Sequence, residues 1–381
     1  MNKSVIAFCP AGFDFSGHTF AYHNALIPMF DRYIVCLPTT SILPLPNAKR
    51  ILSVSRAMKS RLNSPTSSLN NYFRPVLTVI VALLPMVQYL RFVAKELKSG
   101  GTDNSVMLIE QSNSLELVLL SFFSLIMGLS KTKRVIVVRG APEKKYEYFF
   151  KLFLKLSARS TAVQRLASDS NVLCDVLSAK YGVRFGYVAI PHIKLIKSYP
   201  EKTDSRTLLW PGAGGVLRGQ AHIERILSDQ RMVHHGIKIA MTKAAFSSMP
   251  PELLNSVTLH ESNMDEFQFD KFLYSSSVAI FPFDTSNAGY GLRTSGLVLD
   301  CLCRGIICIV QNDTWGSSLL ADLGLPSELL VDFEKLTPDF FQEVLSNLEY
   351  YQQCFRGVVP RLPQYFGPYV ASNTLKQLYE S

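Results

Sequence analysis

The stretch that most limits what this chain can fold into runs from Phe281 to Gln311, FPFDTSNAGYGLRTSGLVLDCLCRGIICIVQ. Val278-Ala279-Ile280-Phe281 at its start is a short apolar run, and Ile306-Ile307-Cys308-Ile309-Val310 near its end is another. Short apolar runs bounded by turn residues read as buried strands. Between them Ser295 to Cys303 has helical spacing, and Gly305 sits where a helix stop belongs. Strand, Gly-rich loop, helix, strand is one βαβ unit.

The loop ahead of that helix holds Asn287, Gly289, Tyr290, Gly291, Arg293, Thr294, Ser295 and Gly296. The first N–H groups of a helix have no partner within it and carry partial positive charge. Glycines let a phosphate approach the backbone, Thr294 and Ser295 can donate hydroxyl hydrogen bonds, and Arg293 can hold a phosphate through two N–H groups. The loop is therefore read as an anion site, most naturally for a diphosphate. Asp300, five residues on, can accept from a ribose diol. An ordinary βαβ unit with a Gly-rich turn is the alternative left open by these residues.

The same alternation recurs along the chain. Val5 to Phe8 reads as a first strand, followed by a loop with Gly12, Gly17 and His18 and a helix-like stretch from Thr19 to Phe30. A loop there lies at the carboxyl edge of a sheet, where open α/β folds bind ligands. His18 can serve as a base or donor, or as a structural histidine. Further strands are expected at Tyr33–Leu37, Ser105–Glu110, Arg134–Val138, Thr161–Ala167 and Tyr187–Ile190. Ser105–Glu110 places Glu110 at a second carboxyl edge as a candidate contact for a polar substrate. Helices are expected at Tyr72–Leu97, kinked at Pro85, at Leu115–Leu129 and at Lys144–Ser157; Asp169 or Ser170 caps another that ends at Lys180. Residues 38–70 read as a long loop with one short helix. The polar stretch from Lys194 to Arg206 reads as a linker, dividing a domain of residues 1–193 from one of 207–381. The last residues of the second can pack back on the first.

The second half starts again with a strand at Thr207–Trp210 and a Gly-rich loop, Pro211 to Gly219. Gly214 and Gly219 free its backbone, and Arg218 supplies a cation. Helices are expected at Gln220–Leu227 and Met264–Tyr274, with a terminal one from Thr337 to Cys354.

A chain of 381 residues is long enough for two such domains, and 48% apolar with 18% charged residues excludes long disorder. Seven cysteines without a CxxC or a completing His pair read as reduced core residues of a cytoplasmic protein, and no metal site is expected. Val76–Leu90 and Leu115–Leu129 are apolar but fall short of a membrane span. The net charge is +9. From Ser41 to Arg165, cations outnumber acids and alternate with aromatics, a surface suited to anionic lipid headgroups, and so to peripheral membrane contact, or to another polyanion; a solvated basic face that only aids solubility is the alternative left open. No nucleic-acid motif is visible, and no nucleic-acid partner is expected.

Two Rossmann-like halves imply sheets facing across a cleft. With that pattern the sequence resembles the GT-B glycosyltransferases, and within them the large retaining glycosyltransferase family 4 of bacterial polysaccharide assembly. The resemblance is strongest between Leu208 and Leu320. It rests on Arg218-Gly219 after the opening strand, on Val278 to Asp284, on the Tyr-x-x-Arg-x-Ser-Gly run from Tyr290 to Gly296, and on Asp300 within the helix. Gly17-His18 is similar to the family's acceptor-side loop. Many members carry two glutamates eight positions apart; here the second is Asp300 and the first position is Leu292, not an acid.

The resemblance implies transfer of a sugar from a nucleotide-diphosphate donor to a glycan or lipid-linked glycan, with no cofactor and no metal. Gly214, Arg218, Gly219, Arg293, Thr294, Ser295 and Gly296 would hold the diphosphate, Asp300 the ribose, and His18 and Glu110 would face the acceptor. A non-catalytic scaffold of the same fold, motivated by Leu292, and a sugar-nucleotide epimerase are the rival readings.

Overall fold

The computed structural model describes residues 4–9, 19–51, 73–98, 105–110, 114–129, 131–142, 146–158, 164–191, 206–212, 214–285 and 291–380. The chain forms two compact units. One comprises Met1–His192 with Phe366–Ser381, the other Ile193–Tyr365.

The first unit contains β1 (Ser4–Phe8), α1 (Thr19–Leu26), β2 (Arg32–Pro38), β3 (Lys49–Ile51), α2 (Phe73–Lys98), β4 (Ser105–Glu110), α3 (Ser114–Ile126), β5 (Lys133–Val137), α4 (Glu147–Ala158), β6 (Gln164–Ser168), α5 (Asn171–Tyr181) and β7 (Phe185–Tyr187). Its sheet has the order β3-β2-β1-β4-β5-β6-β7, with every pairing parallel. Strands β1 and β4 are buried along their whole length. Helices on both faces of a parallel sheet demand such unbroken apolar runs. Helix α2 continues through Pro85 and packs on α3, which packs on α4.

The second unit contains β8 (Thr207–Leu209), α6 (Gln220–Leu227), α7 (Gln230–His234), β9 (Lys238–Thr242), α8 (Lys243–Phe246), β10 (Val257–His260), α9 (Glu266–Leu273), β11 (Val278–Phe281), α10 (Gly296–Cys303), β12 (Ile307–Gln311), α11 (Trp315–Asp322), β13 (Leu330–Val331), α12 (Pro338–Ser346) and α13 (Leu348–Val358). Its sheet has the order β10-β9-β8-β11-β12-β13, again all parallel. The final helix, α14 (Pro368–Glu380), belongs to the first unit. It lies against α1, β5 and β6, and its Thr374 hydroxyl accepts a hydrogen bond from the Ala189 N–H at 3.1 Å.

Several elements differ from the sequence reading. A short strand, β3, occupies part of the expected loop, paired to Cys36–Pro38. The strand expected at Tyr187–Ile190 lies at Phe185–Tyr187, while Val188–Ile190 are buried beyond it. The single terminal helix is two, broken at Asn347. Its side-chain amide bonds back to the Glu343 carbonyl at 3.0 Å, the local competition with the helix that makes Asn a poor interior residue. Six of the seven cysteines are buried.

Candidate functional site

In the second sheet, β8 pairs with β9 on one side and β11 on the other, so the strand order reverses between β8 and β11. Outside the carboxyl ends of such a pair lies the crevice where open α/β sheets take ligands. The two loops leaving those ends are fitted to each other. Gly219 has φ +80°, and a Cβ on it would fall on the Pro282 carbonyl oxygen. The Asp284 N–H donates to the Leu217 carbonyl at 3.3 Å. Only a residue without a side chain lets the Arg218-Gly219 turn close on the loop after β11.

Arg218 folds back over Gly212: a Cβ there would collide with Arg218 Nη1 and sit 3.3 Å from Leu297 Cδ1. Arg218 and the first turn of α10 therefore share the space above Gly212. Ser295 caps α10, its oxygen accepting from the Val298 N–H at 3.4 Å, and the hydroxyl proton remains able to donate. Gly296 is the first residue of the helix and is buried. Gly214 has φ +73°, and a Cβ on it would lie 2.8 Å from Ala245 Cα, so α8 packs directly on the loop. Gly215 has φ +103° and open space around it. Thr242, at the end of β9, donates to the Gly212 carbonyl at 3.1 Å while capping α8. The ends of β8, β9 and β11 and the start of α10 thus meet in one place, where the Arg218 guanidinium lies beside the first turn of α10, whose leading N–H groups have no partner within the helix.

Arg293 is exposed and Thr294 half-buried on the approach to α10. The Gly291 carbonyl accepts from the Trp315 N–H at 2.8 Å, which pins this end of the loop to the β12–α11 turn. Asp300 is 18% exposed, and Arg304 Nη1 reaches both its carbonyl (2.8 Å) and its carboxylate (3.3 Å). Arg304 is only 2% exposed and also pairs with Asp270 of α9. Burial works to lower its pKa, but the carboxylates of Asp300 and Asp270 outweigh that and raise it. Asp300 is accordingly held in place as well as presented. Among the described residues, no group of three or more His, Cys, Asp or Glu is placed to hold a metal.

The first sheet reverses order between β1 and β4, and Glu110 ends β4. Gly17 and His18 lie outside the described residues. Glu110 itself is 1% exposed. The register pairs Glu110 with Val137 and Val137 with Ala167. Arg139 and Asp169 each lie two residues further on, so the period of two sets all three side chains on one face. Arg139 Nη2 bonds Glu110 Oε2 at 3.2 Å, and its Nε lies 3.4 Å from Asp169 Oδ2. Its guanidinium stacks on Tyr22 at 5.0 Å. His23 lies fully buried beneath, with Nδ1 3.0 Å from the Tyr33 hydroxyl and Nε2 3.9 Å from Glu110 Oε2.

Burial pushes the Glu110 carboxyl up to about 7, against the opposing pull of Arg139 and of the Tyr22 hydroxyl beside it. Burial, reinforced by the Arg139 charge, lowers His23 to about 3. Arg139 is itself raised, because Asp169 and Glu110 together outweigh its burial. At neutral pH this is a neutral histidine beside a carboxyl near its midpoint. The sequence reading found Glu110 but not Arg139, His23 or Tyr22. The usable signal was a charged residue just past each strand end, Arg139 two residues after β5 and Asp169 one after β6. Ser170 caps α5, accepting from the Leu173 N–H at 3.1 Å, which leaves Asp169 for Arg139.

No protein-family model and no curated protein matches the sequence. Solved structures do match. A glycosyltransferase from Rickettsia africae aligns at a TM-score of 0.64 and 12% identity, covering 100% of this chain and 98% of its own. The fold is that of the GT-B glycosyltransferases. A UDP-forming trehalose-phosphate synthase from Burkholderia xenovorans aligns at 0.61 and 8%, covering 100% and 99%. The N-terminal domain of trehalose-6-phosphate phosphatase from Candida albicans aligns at 0.63 and 8%, covering 100% and 97%. At such identities the likeness concerns architecture, two parallel α/β units in one order, and leaves the chemistry to the residues.

Proposed function

We propose that this protein is a glycosyltransferase that takes its sugar from a nucleoside-diphosphate donor bound at the β8/β11 edge of the second unit. The observation that carries the reading is the convergence there of Arg218, the α10 N-terminus and the glycine turns on one cradle. In the transfer, the bond from the anomeric carbon to the diphosphate breaks and a bond to an acceptor hydroxyl oxygen forms, with the hydroxyl proton released. Negative charge gathers on the leaving diphosphate. Preorganised N–H dipoles and a guanidinium stabilise that charge more than they stabilise the bound donor, which lowers the barrier. Arg218, the N–H groups of Gly296 and Leu297, and the Ser295 hydroxyl supply this, with Arg293 at the approach and Gly214 and Gly219 shaping the turn. These groups offset the diphosphate charge without a metal. Asp300, steered by Arg304, takes the ribose.

The acceptor, a glycan or lipid-linked glycan, falls on this reading to the carboxyl edge of the first unit, where the Glu110–Arg139 pair lies and to which the family resemblance assigns His18. The resemblance to family 4 brings retention of configuration with it, and the UDP-forming relative makes UDP-sugars the first donors to try. The test is to incubate purified protein with UDP-, GDP-, ADP- and CDP-sugars and follow nucleoside diphosphate release. Release from one donor, lost in Arg218→Ala, is expected; absence of release with every donor and a panel of glycan acceptors would sink the reading. Leu292, in place of an acid, favours a second reading in which the chain binds the nucleotide without turnover. Tight nucleotide binding with no release would select it.

A further inference from the structure

On the first unit, away from the carboxyl edge of its sheet, α4, the end of α5 and the starts of β6 and β7 enclose a groove. One part has a volume of about 770 Å³ and a floor of Leu154, Leu166, Val183 and Leu378. A second part of about 510 Å³ adjoins it and shares Leu154, Ala158 and Val183. The rim is cationic: Arg165 and Arg184 on the first part, Lys151, Lys155 and Lys180 on the second. Glu147 pairs with Lys151 and Lys180, each at 3.3 Å. Lys155, Arg165 and Arg184 have no ion-pair partner among the described residues. Helix α3, packed along α4, exposes Phe122, Leu125 and Ile126 by 52%, 49% and 63%, and α4 exposes Tyr148 by 72%. Among the described residues, no helix is long and apolar enough to cross a membrane.

An apolar floor under a rim of five cations, three of them without an ion-pair partner among the described residues, with exposed aromatic and aliphatic side chains on α4 and the helix packed along it, matches a ligand that is anionic at one end and apolar at the other. We propose that this groove is the site at which the protein docks on a bilayer, taking the headgroup of an anionic phospholipid on Lys155, Arg165 and Arg184 and its upper acyl chain on Leu154, Leu166 and Val183. Phe122, Leu125 and Ile126 enter the interface beside it. The cations draw the surface in through long-range attraction, and the apolar side chains add the burial that a purely electrostatic contact lacks. The proposal does not depend on the transferase reading, since a chain that bound no nucleotide would still dock.

The test is cosedimentation of the full chain with vesicles of phosphatidylcholine alone and of phosphatidylcholine with 30% phosphatidylglycerol, at low and at physiological salt. The protein is expected to bind the anionic vesicles alone, more weakly as salt rises. The triple variant Lys155→Ala, Arg165→Ala, Arg184→Ala should lose about a hundredfold in affinity, three cations at the usual contribution of each near an anionic surface. Its thermal unfolding and circular dichroism should match the wild type. Leu154→Asp tests the apolar floor and should weaken binding that high salt leaves behind. Lys95→Ala with Lys98→Ala, cations at the end of α2, is the control and should bind as the wild type does. Absence of binding to anionic vesicles overturns the proposal. So does a control variant that loses binding as the triple variant does, which would mean diffuse charge rather than this groove.

Discussion

Replacing Glu110 or His23 should tilt the pH dependence of stability in opposite directions. Glu110 in the folded chain holds its proton to about pH 7, against an ordinary value of 4.5. The folded state keeps a proton that the unfolded chain gives up. Its contribution is therefore full below about pH 4.5 and is lost as pH rises to about 7. At roughly 1.4 kcal/mol per unit, the whole span is about 3 kcal/mol. His23 behaves the other way. Its value falls from 6.5 to about 3, so the unfolded chain takes up a proton that the folded one refuses. Its contribution is full above about pH 6.5 and is lost as pH falls toward 3, a span of about 5 kcal/mol.

Between pH 4.5 and 6.5 the two slopes oppose each other, and the wild type should show almost no net slope from this pair. Glu110→Gln leaves the histidine alone, so stability should rise by about 3 kcal/mol across that window relative to the wild type. His23→Gln leaves the carboxyl alone, and stability should fall by a similar amount. Both tryptophans, Trp210 and Trp315, lie in the second unit, so their fluorescence does not report the first. Hydrogen exchange of the β4 amides does, with opening free energies taken at each pH after correction for intrinsic exchange. If both variants tilt the profile the same way, or neither tilts it, the account of a buried neutral histidine beside a raised carboxyl is wrong.

The glycine turns give a second contrast. Gly219→Ala must displace the Pro282 carbonyl as well as adopt φ +80°, whereas Gly324→Ala meets only φ +71° in open space. Gly324→Ala should cost about 1–2 kcal/mol and leave nucleotide binding alone; Gly219→Ala should cost more, read as a larger fall in the urea midpoint of tryptophan fluorescence, and should abolish binding. Arg304→Ala removes the buried guanidinium that pairs with both Asp270 and Asp300 and should destabilise the second unit by about 1–3 kcal/mol. Equal stability in that variant would show that the pair contributes nothing. Removing divalent ions with EDTA should leave nucleoside diphosphate affinity unchanged, by calorimetric titration, because Arg218 and the α10 N–H groups meet the charge.

The alternation of short apolar runs with helical spacing made both sheets legible, because strands buried on both faces must be continuously apolar. Val278–Phe281 was read to the residue. The break at Asn347 was missed because the apolar spacing carries across it, while the helix is decided by one amide bonding back to a carbonyl. The β8/β11 loops were legible as glycines and cations, since Gly and Arg announce close approach and charge. That Gly219 sits on Pro282 belongs to a contact between loops far apart in sequence, and that Arg218 folds over Gly212 depends on the turn between them, which the residue types alone do not specify. The Glu110 cluster was half legible. A carboxylate ending a strand stands out, but its burial, and its pairing with Arg139 and the neighbouring His23, follow from strand register and from α1 packing above it, which no local pattern encodes.

The most direct test of the central claim is calorimetric titration of the purified protein with each nucleoside diphosphate and its monophosphate, on the wild type and on Arg218→Ala. The account predicts that one diphosphate binds more tightly than its monophosphate, and that Arg218→Ala loses about 1.5–3 kcal/mol of that diphosphate affinity while the monophosphate changes far less. Equal affinity for diphosphate and monophosphate, or an Arg218→Ala variant that binds as the wild type does, would contradict a diphosphate site at the β8/β11 edge.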